Sequence, residues 1–335
     1  MSSKYQSFKY IKTNYSYISV YDNQKWDEGK LQTSDKISIP ISSTALHYGQ
    51  TCFEGMKAYR TKEGRIQLFR PEDNARRFQE SCERLVMPTI PVDVFVEAVK
   101  KTVLANESFV PDYGKNQSLY IRPFMIGVGD NVGVKPSPSY MFIIFVTPVG
   151  TYFDGPAKPV DMLVSTYDRA APEGTGAAKV GGNYGASLLP KEHAKHLGFA
   201  DCIFLDPKTH TKIEEAGTSN FFGITKDNTY ITPTSPSILN SITNRSLKYI
   251  AKNMLNLQVE EKDIYIDQLD AIIEAGACGT AAVITPIASI TFNHNKHIFP
   301  YHQEMGPTIK KLHDILTKIQ VGDLPDPNHW ITYIK

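Results

Sequence analysis

Residues 174–187 read GTGAAKVGGNYGAS, five glycines and several alanines around a single lysine, Lys179, and a single tyrosine, Tyr184. A loop that only has to turn needs no lysine, and a lysine that only has to be soluble needs no glycines. Lysine must lose its proton to attack a carbonyl, and with a pKa of roughly 10.4 that costs about 4–5 kcal/mol at pH 7. Removing water and adding a nearby cation both lower the cost. Small neighbours do the first and let a flat ligand approach the backbone. Composition alone leaves a surface lysine in a flexible loop open. A phosphate loop of the GxxxxGK[ST] type is a weak match, because Ala178 and Val180 stand where that motif has glycine and a hydroxyl.

The chain has 335 residues, 41% hydrophobic and 21% charged, which suits a globular protein of two domains. Lys and Arg number 36 against 35 Asp and Glu, so no global field argues for nucleic acid or an anionic membrane. The N-terminus lacks the apolar run of a secretory signal, and segments such as YMFIIFV are too short to span a bilayer. Cys52, Cys82, Cys202 and Cys278 form no CxxC pair. Neither a zinc site nor a disulfide framework is expected, and a reducing cytoplasm fits. No metal is expected.

Residues 72–85 carry Ala75, Phe78, Cys82 and Leu85 at helical spacing behind Pro71, and 93–106 read as a second helix. SLYIRPFMIG and YMFIIFVTPVG read as strands. After a Pro- and Gly-rich stretch come the strands MLVSTYD, CIFLD, NFFGIT and TYITP, then helices over 240–255 and 303–320. The organisation expected is mixed α+β, with a small domain at 1–148, a linker at 149–161 and a large domain at 162–335 that carries the lysine. A cleft between such domains is a natural ligand site.

Two adjacent carboxylates, Glu214 and Glu215, precede a small-residue turn and an apolar strand. Alternation lets one point inward, where it needs a partner such as a protonated heteroaromatic nitrogen, while the other meets solvent. Asn240, Ser241 and Thr243 stand where a helix begins, and CGTAAVITP is a second small-residue turn. Helix-start amides bind phosphate, although each feature read alone is a cap or a turn. Arg77 offers a guanidinium to the same anion. Lysine, acid and anion site together are what pyridoxal 5′-phosphate (PLP) requires.

FRPEDNARRF, LYIRPFMIG, DRAAPEGTGAAKVGGNYGAS, KIEEAGTSNFFGI, SILNSIT and ACGTAAVITPI resemble the branched-chain amino acid aminotransferases of PLP fold type IV. The resemblance runs from about residue 47 to 320. It implies a D-amino acid aminotransferase-like fold with PLP in the interdomain cleft, bonded to Lys179. By the same resemblance Tyr184 meets the cofactor's phenolic oxygen and Glu215 its pyridine nitrogen, while Arg77, Ile242, Thr243 and Thr280 form the phosphate cup. Tyr48, Phe53, Tyr120 and Tyr152 match the wall that accepts leucine, isoleucine or valine. Arg122 matches the residue that meets the distal carboxylate of glutamate, and Thr280 and Ala281 offer amides to the substrate α-carboxylate. Some members have a second cysteine where Ala281 stands, so no thiol switch is expected at Cys278.

The implied reaction is a ping-pong transamination between a branched-chain amino acid and 2-oxoglutarate, in synthesis or breakdown, by a cytoplasmic homodimer. A hydrophobic pocket distinguishes one methylene by only ~1–3 kcal/mol, so leucine, isoleucine and valine should all react. The rival readings are a D-amino acid aminotransferase or aminodeoxychorismate lyase of the same fold, or a non-catalytic phosphate- or nucleotide-binding module.

Overall fold

Alternating side chains in the first third of the chain build a sheet before any long helix appears. The structure is a computed structural model that describes residues 9–150 and 157–334. Strands β1 (Ser16–Asp22), β2 (Lys25–Trp26) and β3 (Lys30–Gln32) precede the one-turn helix α1 (Thr44–His47). Strands β4 (Thr51–Phe53), β5 (Met56–Arg60) and β6 (Ile66–Phe69) lead into helices α2 (Pro71–Arg84) and α3 (Val92–Ala105). Strands β7 (Ser118–Gly127) and β8 (Tyr140–Val149) complete this half.

The second half contains β9 (Val160–Val164), α4 (Gly181–Ala186), α5 (Leu188–His196), β10 (Asp201–Leu205), β11 (Ile213–Ala216), β12 (Ser219–Thr225) and β13 (Thr229–Thr232). It continues through α6 (Ile242–Met254), β14 (Gln258–Glu261), β15 (Ile272–Gly279), β16 (Val283–Phe292), β17 (Asn295–Ile298) and α7 (Pro307–Val321). The last strand, β18 (Ile331–Tyr333), pairs with β6.

The first unit is one sheet in the order β18–β6–β5–β7–β8–β1–β2, with β3 on β1 and β4 on β7. Register assigns its two faces opposite tasks. Cys52, Met56, Ala58, Ile121, Met125 and Phe142 lie on the face that packs against α2 and α3, where the rings of Phe78, Phe95 and Phe142 stand 5.4–5.6 Å apart. Phe53, Tyr120, Arg122 and Phe124 lie on the other face. On α2 the expected stripe of Ala75, Phe78 and Cys82 is buried, and Leu85 is the C-cap.

In the second unit, β11–β10–β9–β16–β15–β12 form a continuous path, and an added β11–β12 pairing closes these six strands into a ring. Ile203, Phe221, Ile287 and Ile290 fill its core. The helix expected over 303–320 starts at Pro307 because buried Glu274 caps it: Oε1 accepts the Thr308 N–H at 3.1 Å and Oε2 the Ile309 N–H at 2.8 Å. A carboxylate suits the positive end of a helix. Glu274→Gln replaces one acceptor by a donor facing a backbone N–H. Chemical denaturation should read a loss of about 1–3 kcal/mol, with the native secondary structure retained.

The units are grouped differently from the expected domains. Residues 178–182 and 319–334 pack with 9–150, and the second unit comprises 157–177 and 183–318. The lysine segment joins the first unit through backbone pairing: Phe53 N–H donates to the Lys179 carbonyl at 3.0 Å, and Cys52 bridges Val180. Residues 319–334 join it because β18 pairs with β6 and Gln67 donates to the Gln320 carbonyl at 2.9 Å. Within the expected linker, residues 151–156 lie outside the described residues, and β9 begins at Val160.

Candidate active site

Lys179 is held by its backbone. Its N–H donates to Ser81 Oγ on α2 at 2.9 Å, and its carbonyl accepts from Phe53 on β4. Ser81 lies one turn beyond Arg77, so one helix face carries both the guanidinium and this tether. The side chain is therefore aimed by secondary structure, although its own segment is nearly all glycine and alanine. Its Nζ stands 4.7 Å from the centre of the Phe53 ring, as does the Arg122 guanidinium.

Burial lowers the Lys179 pKa most, Arg77 lowers it further and Arg122 adds a little, while Glu54 and Tyr120 oppose; the amine is pulled down to about 8. These are the two causes the sequence suggested, lost water and a nearby cation. At pH 7 the neutral fraction rises roughly three-hundred-fold over a free lysine.

On the same sheet face, Arg122 Nη2 donates to the Tyr120 hydroxyl at 2.9 Å. Gly55 is what seats that hydroxyl, since a Cβ there would stand 2.2 Å from it. Tyr48 is half exposed: its hydroxyl donates to the Val132 carbonyl at 2.5 Å and its ring lies 4.3 Å from His47, and these contacts do not join it to Phe53 or Tyr120. Tyr152 falls outside the described residues.

Arg77 has a partner that sequence reasoning missed. Glu54, with no exposed surface, accepts from Arg77 Nε at 2.7 Å, Arg77 Nη2 at 2.8 Å and Asn74 Nδ2 at 2.7 Å. The available signal was a carboxylate inside the otherwise apolar and small run TCFEGM.

The other expected residues lie in the second unit. Glu215, on β11, is buried, and its Oε1 accepts the Leu239 N–H at 2.9 Å. Leu239 stands just before the start of α6, where the Ser241 hydroxyl accepts the Asn244 N–H at 3.2 Å. Within a helix the N–H groups of Ile242 and Thr243 have no intrahelical acceptor, so this end presents amides and positive dipole. Glu215 pairs with Asn220 and Asn220 with Cys278 across β11, β12 and β15. The turn at Thr280 and Ala281 thus stands at the same end of the ring as the acid. Val283, which closes this turn, takes φ of 63°, a left-handed conformation that costs a β-branched residue energy. Tyr184 is half-buried on α4.

Glu214 does not meet solvent as expected. It is buried on the opposite side of β11, where Oε1 accepts the hydroxyls of Ser235 and Ser237, both at 2.6 Å. Arg169 was also missed. Its Nε lies 3.5 Å from Glu215 Oε2, and its Nη groups donate to the carbonyls of Gly176 and Ser237. This explains one glycine of the opening stretch, because a Cβ on Gly176 would stand 2.2 Å from the Ser237 carbonyl. Gly181 lies against Thr51 in the same way, at 2.9 Å, whereas Gly182 and Gly185 face open space.

Among the described residues no cluster of His, Cys, Asp or Glu fits a metal ion, and no helix is long and apolar enough to cross a membrane. All four cysteines are buried free thiols, with burial pushing Cys278 up.

A desolvated lysine, a buried acid and an amide-rich helix start define the equipment of a PLP enzyme. Residues 51–290 match the family model described as amino-transferase class IV. The chain is 55% identical to the branched-chain-amino-acid aminotransferase of Haemophilus influenzae, over 98% of this chain and 97% of that one. It is similar in structure to the branched-chain amino acid aminotransferase of Thermobaculum terrenum in its PLP form: TM-score 0.80, 26% identity, 97% of this chain and 99% of the other. The branched-chain amino acid aminotransferase of Escherichia coli matches with TM-score 0.77 and 27% identity, over 97% of this chain and all of the other. The chain belongs to the class IV aminotransferases, and within them to the branched-chain amino acid aminotransferase family.

Proposed function

We propose that the protein transfers the amino group of L-leucine, L-isoleucine or L-valine to 2-oxoglutarate with PLP as cofactor. The observation that carries this is the Phe53 ring, which has the Lys179 amine and the Arg122 guanidinium each 4.7 Å from its centre. A reactive amine, an apolar wall and a carboxylate receptor thus share one side chain, which is what a site for both a branched alkyl group and glutamate needs.

PLP, when bound, supplies an aldehyde for a lysine amine and a ring that takes up the electron pair left at the substrate Cα. The residues that fit it are those named above: Lys179 for the aldehyde, the Glu215 carboxylate for a protonated ring nitrogen and Tyr184 for the ring hydroxyl. Arg77, with the amides of Ile242, Thr243 and Thr280, takes the phosphate charge. Lys179 also takes and returns the proton at the substrate Cα, for which an amine titrating near pH 8 is well matched. Phe53 and Tyr120 wall the alkyl group, and Arg122 receives the distal carboxylate. Thr280 and Ala281 offer amides to the α-carboxylate.

A donor panel tests the reading. L-leucine, L-isoleucine and L-valine should all yield their 2-oxo acids with glutamate as co-product, and D-leucine should not. Turnover of D-leucine alone, or release of pyruvate from aminodeoxychorismate, would replace it by one of the rival activities. A second expectation concerns pH. Because Lys179 titrates near pH 8, the association rate of PLP with cofactor-free protein should climb tenfold per unit up to about that pH and then level. Stopped-flow absorbance measures this.

The finer reading is a cytoplasmic homodimer. Ile41, Val132 and Val134 are 84–93% exposed on loops joined by the Ser42–Asp130 and Tyr48–Val132 hydrogen bonds, which supports an interaction surface. Four reduced thiols suit the cytoplasm. Light scattering should read twice the chain mass.

A further inference from the structure

We propose that Glu54 is the positioning residue of the lysine pole, holding the Arg77 guanidinium at the angle a phosphate needs and setting the charge that Lys179 meets. The inference rests on the reading of Lys179 as the cofactor lysine and Arg77 as a phosphate ligand.

Glu54 lies between β4 and β5, and alternation turns it toward α2 while Phe53 faces away. Its two oxygens receive four donors: Arg77 Nε at 2.7 Å, Arg77 Nη2 at 2.8 Å, Asn74 Nδ2 at 2.7 Å and the Gly55 N–H at 3.1 Å. The two bonds to Arg77 are the parallel, fork-like kind that fixes the plane of a guanidinium. With its Nε–Nη2 edge paired to Glu54, the guanidinium has its plane set by that carboxylate. Burial pushes the Glu54 carboxyl up, but the charge and hydrogen bonds of Arg77 outweigh it, so Glu54 stays ionised. Removing that carboxylate would leave the charge of a buried guanidinium without the partner it forks onto.

The groups facing Lys179 are Arg77 from α2, Glu54 from the β4–β5 arm, and Tyr120 and Arg122 from β7. Arg77 and Arg122 favour the neutral amine, while Glu54 and Tyr120 favour the ammonium. Glu54 therefore does two things of opposite sign. It keeps Arg77 in place, and it limits how far that cation depresses the lysine.

The signs make the proposal testable on purified protein stripped of and reloaded with PLP. Wild-type protein is first reduced with borohydride; if the label does not land on Lys179, the reading of the site fails, not this inference. With that reading secure, Glu54→Gln removes the charge and keeps the shape. The pH midpoint of PLP association should fall by about one unit relative to wild type, and the Kd for PLP should rise about 10–100-fold. Arg77→Gln should move the midpoint the opposite way, upward. Glu54→Asp, which retains the charge, should restore the midpoint toward wild type while leaving PLP binding weak. If Glu54→Gln does not fold, the Asp variant and Arg77→Gln carry the test. A merely structural Glu54 predicts an unshifted midpoint and a Kd within twofold of wild type in each Glu54 variant that folds, and that outcome overturns the proposal.

Discussion

Lys179→Ala should abolish transamination and make the protein more stable at the same time. Loss of the amine proposed to bond the cofactor and move the Cα proton should lower kcat by at least about 10⁴-fold. Borohydride should then fix no cofactor to position 179. The stability gain follows from linkage. The lysine pKa is near 8 in the folded protein and near 10.5 in an exposed chain, so the folded state penalises the ammonium. For a lowered lysine the penalty is full below pH 8, is relieved as pH rises from 8 to 10.5, and vanishes above that. Below pH 8 alanine should therefore stabilise the cofactor-free protein by about 1–3 kcal/mol, allowing for a partly exposed group. The two tethers on the segment are backbone hydrogen bonds to Ser81 and Phe53, which alanine keeps. Thermal unfolding at pH 7 and pH 10 checks this: the gain should shrink at the higher pH. A variant that lost activity together with stability would mean that Lys179 is a structural residue.

Glu215→Gln should fold normally and lose about 10²–10³-fold in kcat. The amide oxygen can still accept the Leu239 N–H, so the loop before α6 keeps its anchor. What disappears is the negative charge proposed to keep a ring nitrogen protonated, and with it the ring's capacity as an electron sink. Arg169, 3.5 Å away, also loses its counter-charge, so a stability loss of up to a few kcal/mol should accompany the kinetic defect. Cofactor absorbance separates the two effects, because a protonation defect changes the spectrum of the loaded protein and a loss of stability does not. A kcat within a few-fold of wild type would remove Glu215 from the proposed chemistry.

Much of this was legible in the chain. The helices at 71–84 and 242–254 announced themselves because a helix needs only local periodicity, a proline or a cap at its start, and an apolar stripe. The strands at 118–127 and 140–149 did so through runs of β-branched and aromatic residues. Lys179 stood out because no other lysine sits among so many small residues. Glu214 misled, because alternation says that two neighbours face apart, not that both sides are buried.

What the residues alone determined is the candidate set and its local geometry: the lysine in its small-residue loop, the paired glutamates at a strand, the caps at a helix start. Those follow from short-range sterics and hydrogen bonding, which neighbouring residues dictate. Only the tertiary structure decided that Lys179 pairs with β4 and α2 of the first unit, that Glu54 grips Arg77, and that Arg169 stands beside Glu215. Each of those contacts joins positions far apart in the chain, and each burial that shifts a charge depends on such a contact. Sequence names the titratable groups; their neighbours, and hence their charge at pH 7, exist only once the chain has folded.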